Sequence, residues 1–234
     1  MKYKAYDYLN RDRLHHIDML ETIDRNNAEL IYAEHDGVLL LNIPGGTYMI
    51  STESEETLEK MCGLISEPKL ITLHQVQFAQ LLQEKYGLKH KMECLQCAYL
   101  PRERLEEKAS QGIELRELTQ AELQFVHKNY DHPSNESYIA ERIEAGMLGA
   151  FCGNECAGFI GTHSEGTMGI LQVMPDFRRR GIAYTLEAAL INRMLLSGFI
   201  PHAQIVTSNK ASVLLQEKIG MSFSDKTVTW LFDE

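Results

Sequence analysis

Apolar positions along the chain alternate between two periods. Residues 28–34 and 38–43 are short β-rich runs joined at His35-Asp36-Gly37, a hairpin signal. Ahead of them, Leu9, Ile17, Leu20 and Ile23 keep a helical spacing and predict a helix over Asp7–Asn26. Thr47–Ser51 predicts a third strand. A helix then opens with the capping-box pattern Thr52-x-x-Glu55 and carries the stripe Leu58, Met61, Cys62 and Ile65. A strand at Leu70–Leu73, a helix from Val76 to Tyr86 stopped by Gly87, and a strand near Met92–Tyr99 complete the first half.

A charged stretch, Pro101–Gly112, reads as a linker. The second half predicts a strand at Ile113–Leu118 and helices over Thr119–Asn129 and Ser137–Glu144, separated by the polar loop 131–136. The hairpin Met147–Cys152 and Cys156–His163 follows, then a strand at Thr167–Val173. A helix carries Ile182, Leu186, Ala189, Leu190 and Met194 on one stripe and stops at Gly198. A strand His202–Val206, a helix Lys210–Ile219 and a strand near Thr227–Phe232 end the chain. Both halves run hairpin, strand, helix, strand, helix, strand. The expectation is an α/β protein of two tandem units with a mixed central sheet flanked by helices, divided at residues 1–105 and 111–234.

The halves differ most at the turn between the third strand and its helix. The second half has Arg178-Arg179-Arg180-Gly181-Ile182-Ala183 directly after a strand. The first amides of a helix lack internal partners and carry the positive end of the peptide dipoles, so an anion is favoured there. Gly181 lets a phosphate approach the backbone, and the arginines add forked donors. The first half has Thr52-Glu53-Ser54-Glu55-Glu56 at the same place, where carboxylates satisfy the helix end and repel a pyrophosphate. At most one half is expected to hold a phosphate-bearing cofactor.

Arg178-x-x-Gly181-x-Ala183 resembles the acyl-CoA signature of the GNAT superfamily of N-acetyltransferases. Ser208 to Met221 is similar to that superfamily's second helix motif. The likeness covers roughly the C-terminal half and is greatest to the glycine N-acyltransferase-like branch. It implies a GNAT-like fold in both units, the N-terminal one degenerate. It also implies acetyl-CoA as acyl donor, its pyrophosphate held by Arg178, Arg179, Arg180, Gly181, Ile182 and Ala183. The pantetheine arm would lie along Leu171, Gln172 and Val173 like an added strand, and an amide near Val173 would point at the thioester oxygen. Asn209 stands where relatives contact pantetheine, and equally where a helix takes a cap.

Composition narrows the partners. The chain has 234 residues, 44% hydrophobic, and a formal net charge of −10. That charge argues against nucleic acid, which needs a basic surface. No apolar run is long enough for a membrane span, and the N-terminus lacks a signal core, so a cytoplasmic protein is expected. Five cysteines, an odd number, point to reduced thiols. Cys94-x-x-Cys97 has no second pair, so no metal is expected, and Cys152 and Cys156 read as packed hairpin neighbours. A homodimer is compatible with all of this.

Acyl transfer to an amine also needs a base. An alkylamine with pKa near 10.4 is neutral in about one molecule per thousand at pH 7, which adds roughly 4 kcal/mol to the barrier. Relatives place a glutamate where this chain has Thr167. Glu165, two residues earlier, is the substitute, with His163 next. The tyrosine that relatives use as general acid is replaced by Gln216, and Tyr184 reads as a packing residue. His132, Tyr138 and Arg142 are candidates to contact the acceptor, with Arg142 suited to an amino-acid carboxylate. The activity implied is transfer of an acetyl group to a primary amine of a small molecule by direct attack in a ternary complex. A non-catalytic acyl-CoA-binding regulatory module and a protein N-terminal acetyltransferase are the alternatives.

Overall fold

The computed structural model describes residues 1–107, 112–130 and 135–233. The chain forms two compact units that do not follow chain order. One comprises Met1–Ala98, Gln204–Val213 and Met221–Glu234; the other comprises Tyr99–Ala203 and Leu214–Gly220. The expected division at 105 and 111 follows chain order, whereas compactness assigns the last strand of the chain to the first unit.

In the first unit the strands are β1 (Ala28–Glu34), β2 (Gly37–Asn42), β3 (Thr47–Thr52), β4 (Leu70–Leu73), β5 (His90–Ala98) and the final strand β11 (Ser222–Phe232). Their order is β1-β2-β3-β4-β11-β5. β1, β2 and β3 are antiparallel, β3 and β4 parallel, and β11 runs antiparallel to both β4 and β5. Successive side chains on a strand face opposite sides, and β2 feeds two cores in this way. Val38 and Leu40 join Leu9, Met19, Leu20 and Met49 under α1 (Lys2–Leu9) and α2 (Ile17–Asp24). Leu39 joins Ile50, Leu58, Met61, Leu73, Leu82 and Leu231 under α3 (Glu55–Cys62) and α4 (Ala79–Tyr86).

The single helix expected over Asp7–Asn26 is instead α1 and α2, which leaves His15 and His16 buried in the break. His15 Nε2 bonds the His74 carbonyl at 3.0 Å. His16 bonds the Leu9 carbonyl through Nδ1 at 3.1 Å and Ser51 Oγ through Nε2 at 2.8 Å. His74 places Nδ1 on the Ile50 carbonyl at 3.1 Å and Nε2 on Asp18 Oδ1 at 2.9 Å. His74 and Asp18 thus form a fully buried hydrogen-bonded pair. The amides of Gln96 and Gln204 complete the Asp18 carboxylate at 2.8 and 3.0 Å. The capping box also falls differently: Ser54, not Thr52, caps α3, its Oγ accepting from Thr57 N at 3.2 Å.

The second unit contains β6 (Ile113–Glu117), α5 (Leu123–Asn129), α6 (Glu136–Glu144), β7 (Leu148–Cys152), β8 (Glu155–Thr162), β9 (Met168–Val173), α7 (Ile182–Leu196), the start of β10 (His202–Val206) and the last turns of α8 (Lys210–Ile219). β6 to β9 are antiparallel in chain order, and β10 meets β9 in parallel at one register pair, Ala203 with Met168. Val126, Ile139, Ile143, Met147, Phe151, Phe159 and Ile170 make its core. Each half of the chain therefore repeats a helix pair, three antiparallel strands, a helix, a parallel strand and a helix. Cys94, Cys97 and Cys156 are buried and outside any disulfide. Cys152 is exposed, opposite Glu155 rather than Cys156. Among the described residues, no helix is long and apolar enough to cross a membrane.

The histidine cluster sets an acid limit on the first unit. Burial, reinforced by the His74 charge, pushes His15 down to about 4 and His16 to about 3 from an ordinary 6.5. The unfolded chain binds these protons more readily, so stability is complete above pH 6.5 and is lost as pH falls toward 4. Once both are fully protonated, the loss is on the order of 3 kcal/mol for His15 and 5 kcal/mol for His16. Chemical denaturation at pH 7.5 and pH 5 will show this loss, and His16→Gln will flatten the dependence; equal stability at the two pH values refutes it.

Candidate active site

The site is built on β9 and the turn that follows it. Phe159 pairs with Gln172, but Gly161 pairs with Gly169, so β9 carries one more residue than β8 over this span. Ile170 absorbs the excess with a φ of 50°. A β-branched residue in that region is strained, and such bulges re-aim the strand beyond them. Leu171, Gln172 and Val173 follow, half-buried. Gly158 of β8 lies so close beneath them that a Cβ would sit 2.7 Å from the Gln172 carbonyl oxygen.

Beyond Val173 the chain makes a 3-10 turn, Pro175–Phe177, pinned by buried Phe177. Arg178 is extended, and its Nε donates to the Val173 carbonyl at 3.1 Å, tying the turn to the strand. Arg180 lies over the Phe177 ring at 5.3 Å. Arg179 has a φ of 63° and Gly181 a φ of 80°, and Gly181 is the N-cap of α7. Glycine takes that conformation without steric cost. It brings no capping side chain, and the first turn of α7 contains no acidic residue. The first internal amide bond is Thr185 N to Gly181 O. The positive end of a 15-residue helix thus meets three exposed arginines.

The corresponding place in the first unit is closed by its own side chains. Ser54 caps α3, and Glu55 and Glu56 stand in its first turn. The Gln75 side chain accepts from Thr52 N at 2.8 Å and donates to Ser51 Oγ at 3.0 Å. β3 and β4 pair at three positions, against one for β9 and β10.

Glu165 does not lie on β9, which begins at Met168. It occupies the tight turn closed by His163 N to Thr167 O, with its side chain folded inward and only 6% of the residue exposed. Thr167 Oγ1 donates to its Oε1 at 2.6 Å, and Ser164 Oγ lies 3.4 Å from Oε2. Tyr138 and His163 share a hydrogen bond of 2.7 Å. Burial first, and then the Glu165 charge, push Tyr130 up to about 12 and Tyr138 further in the same direction. The Arg142 guanidinium stands 5.6 Å from the centre of the Tyr138 ring. Glu165, His163, Tyr138 and Arg142, named from sequence, therefore lie in one group, with Glu165 buried and the other three half-buried. Tyr130 joins it without a sequence signal, because only packing shows which tyrosine turns inward.

The other candidates separate. His132 lies outside the described residues. Asn209 is exposed in the first unit and caps α8, its Oδ1 accepting from Ser212 N at 3.1 Å. Gln216 is buried and donates to Glu187 of α7. Tyr184 is half-buried under the Lys218 ammonium, 5.5 Å away. A depression of about 300 Å3 lined by Arg104, Glu107, Asn192 and Arg193 lies along the last turns of α7, at the opposite end from Gly181.

The mixed sheet flanked by helices, with a bulged strand feeding a glycine-started helix, matches the fold of solved GNAT structures. Residues 146–231 match the model of the family described as FR47-like protein. The whole chain resembles a solved Drosophila protein at 17% identity, with a TM-score of 0.68 over 98% of this chain and 87% of that one. It resembles a GCN5-related N-acetyltransferase from Kribbella flavida at 11% identity and TM-score 0.62, over 95% of each chain. A GCN5-related N-acetyltransferase-like protein from Streptococcus suis aligns at 11% identity and TM-score 0.56, over 97% of this chain and 99% of that one. No curated protein matches the sequence.

The close approach at Gly158 makes a prediction. Gly158→Ala drives a methyl into the β9 backbone and will cost about 1–3 kcal/mol. It will also disorder Leu171–Val173, read as faster amide exchange there. Unchanged stability and exchange refute the contact.

Proposed function

We propose that the protein is an acetyl-CoA-dependent N-acetyltransferase acting on a primary amine of a small molecule. The observation that carries this reading is the uncapped, acid-free start of α7 beside Arg178, Arg179 and Arg180. Backbone amides from Arg179 to Ala183 would receive the pyrophosphate, and the arginines would add charge-assisted bonds. The β9 segment Leu171–Val173 would align the pantetheine arm by strand-like pairing.

The amine attacks the thioester carbonyl carbon directly, in a ternary complex. The new C–N bond forms, the C–S bond breaks, and the electron pair leaves on sulfur. A thiolate with pKa near 8.5 departs without an obligatory acid, which fits the replacement of a tyrosine by Gln216. Glu165 takes the amine proton, with Thr167 orienting its carboxylate. Arg142, over Tyr138, suits an acceptor carrying a carboxylate. A second reading, a non-catalytic acyl-CoA-binding module, is favoured by one observation: both Glu165 oxygens already face hydroxyl groups.

Calorimetry with acetyl-CoA tests the donor site. Arg180→Glu in a folded protein will weaken binding by at least about tenfold, equivalent to one lost charge-assisted bond. An absence of binding to the wild type rejects both readings. Thiol release from acetyl-CoA across a panel of amines and amino acids then separates enzyme from module. Glu165→Gln will lower kcat by about 100-fold or more with little change in acetyl-CoA affinity. Tight binding without amine-dependent release supports the module.

A further inference from the structure

Glu187 lies in the second turn of α7 and is 2% exposed. A buried carboxylate ordinarily has a cation beside it. The three strands packed against α7 contain one charged residue, Glu155, which is exposed. On α8, Glu217 and Lys218 are exposed, and the Lys218 ammonium sits over Tyr184. Arg193, further along α7, is held by the Gly146 carbonyl and Glu117. The partner Glu187 does have is neutral: the Gln216 side chain on α8, 4% exposed, whose Nε2 donates to Glu187 Oε1.

Among the described residues that bond leaves two oxygens without a hydrogen-bond partner, Glu187 Oε2 and Gln216 Oε1, both buried and both acceptors. With Glu187 ionised neither can satisfy the other, and each bears the cost of an unmade hydrogen bond. A proton on Oε2 turns it into a donor. The carboxylic acid and the amide then complement each other through two antiparallel hydrogen bonds.

We propose that Glu187 couples acyl-CoA binding to pH, locking α7 to α8 through a two-bond pair with Gln216 while protonated and opposing an anion at the start of α7 once ionised. The inference rests on the acyl-CoA site proposed above. Burial drives the Glu187 carboxyl up to about 7, with the Gln216 amide pulling it back, which puts the transition in the neutral range. Glu187 is five residues beyond Ile182, about 7.5 Å along the helix axis. A charge at that range, shielded from water, acts directly on a pyrophosphate at the helix start. Glu187 is thus a positioning residue, remote from the reacting atoms.

The test titrates the wild type carrying 13C-carboxyl glutamate, with the Glu187 signal assigned by its loss in Glu187→Gln. Acetyl-CoA affinity is measured on both proteins from pH 6 to 8.5. The Glu187 signal is expected to move near pH 7. Wild-type affinity should fall roughly tenfold across the range relative to Glu187→Gln, whose amide cannot ionise. A wild-type titration in which no glutamate carboxyl moves near pH 7 overturns the proposal, and that readout needs no variant to fold. A midpoint near 7 with parallel affinity profiles overturns the coupling. If neither protein binds acetyl-CoA at any pH, the acyl-CoA reading fails and the coupling with it, while the carboxyl titration separately decides whether Glu187 is held protonated.

Discussion

The positive end of α7 governs the second unit. Aligned peptide dipoles gather partial positive charge at the start of a helix, and most helices neutralise it with a capping oxygen or an early carboxylate. Here Gly181 supplies no oxygen, the first turn supplies no carboxylate, and three arginines add to the field. The bulge at Ile170 and the close approach of Gly158 aim β9 into that turn. Arg178 fastens the turn back onto the Val173 carbonyl. The local strain at Ile170 and Arg179 is borne by a well-packed strand and by buried Phe177.

The first unit uses the same architecture with that feature removed. Ser54, Glu55 and Glu56 neutralise α3, and Gln75 satisfies the backbone at the end of β3. Behind that helix start lies a network of Ser51, Gln75, His15, His16, His74 and Asp18. Every member is buried, so the network rigidifies the unit only while its protonation states are kept. The interior of the second unit also holds a buried carboxyl, Glu187, placed opposite an amide instead of a cation.

Strand and helix order was legible in the sequence because alternation of apolar residues is a local property that survives tertiary packing. The arginine turn was legible for the same reason: a strand, a glycine and an amphipathic helix lie in one continuous stretch. The contrast with Ser54-Glu55-Glu56 was also written locally, although the identity of the cap, Ser54 rather than Thr52, was decided by where β3 ends.

What the sequence alone determined was two successive α/β runs and the arginine-glycine turn that opens α7, since both follow from neighbours in the chain. Tertiary structure decided that the final strand belongs between β4 and β5, because register is chosen by partners far away in sequence. It broke the first helix around two histidines, because their nitrogens answer to carbonyls and a hydroxyl on other elements. It turned Glu165 inward beside Tyr130 and Tyr138, and it set Glu187 against Gln216. Side-chain burial and hydrogen-bond partners are long-range quantities, and no local pattern carries them.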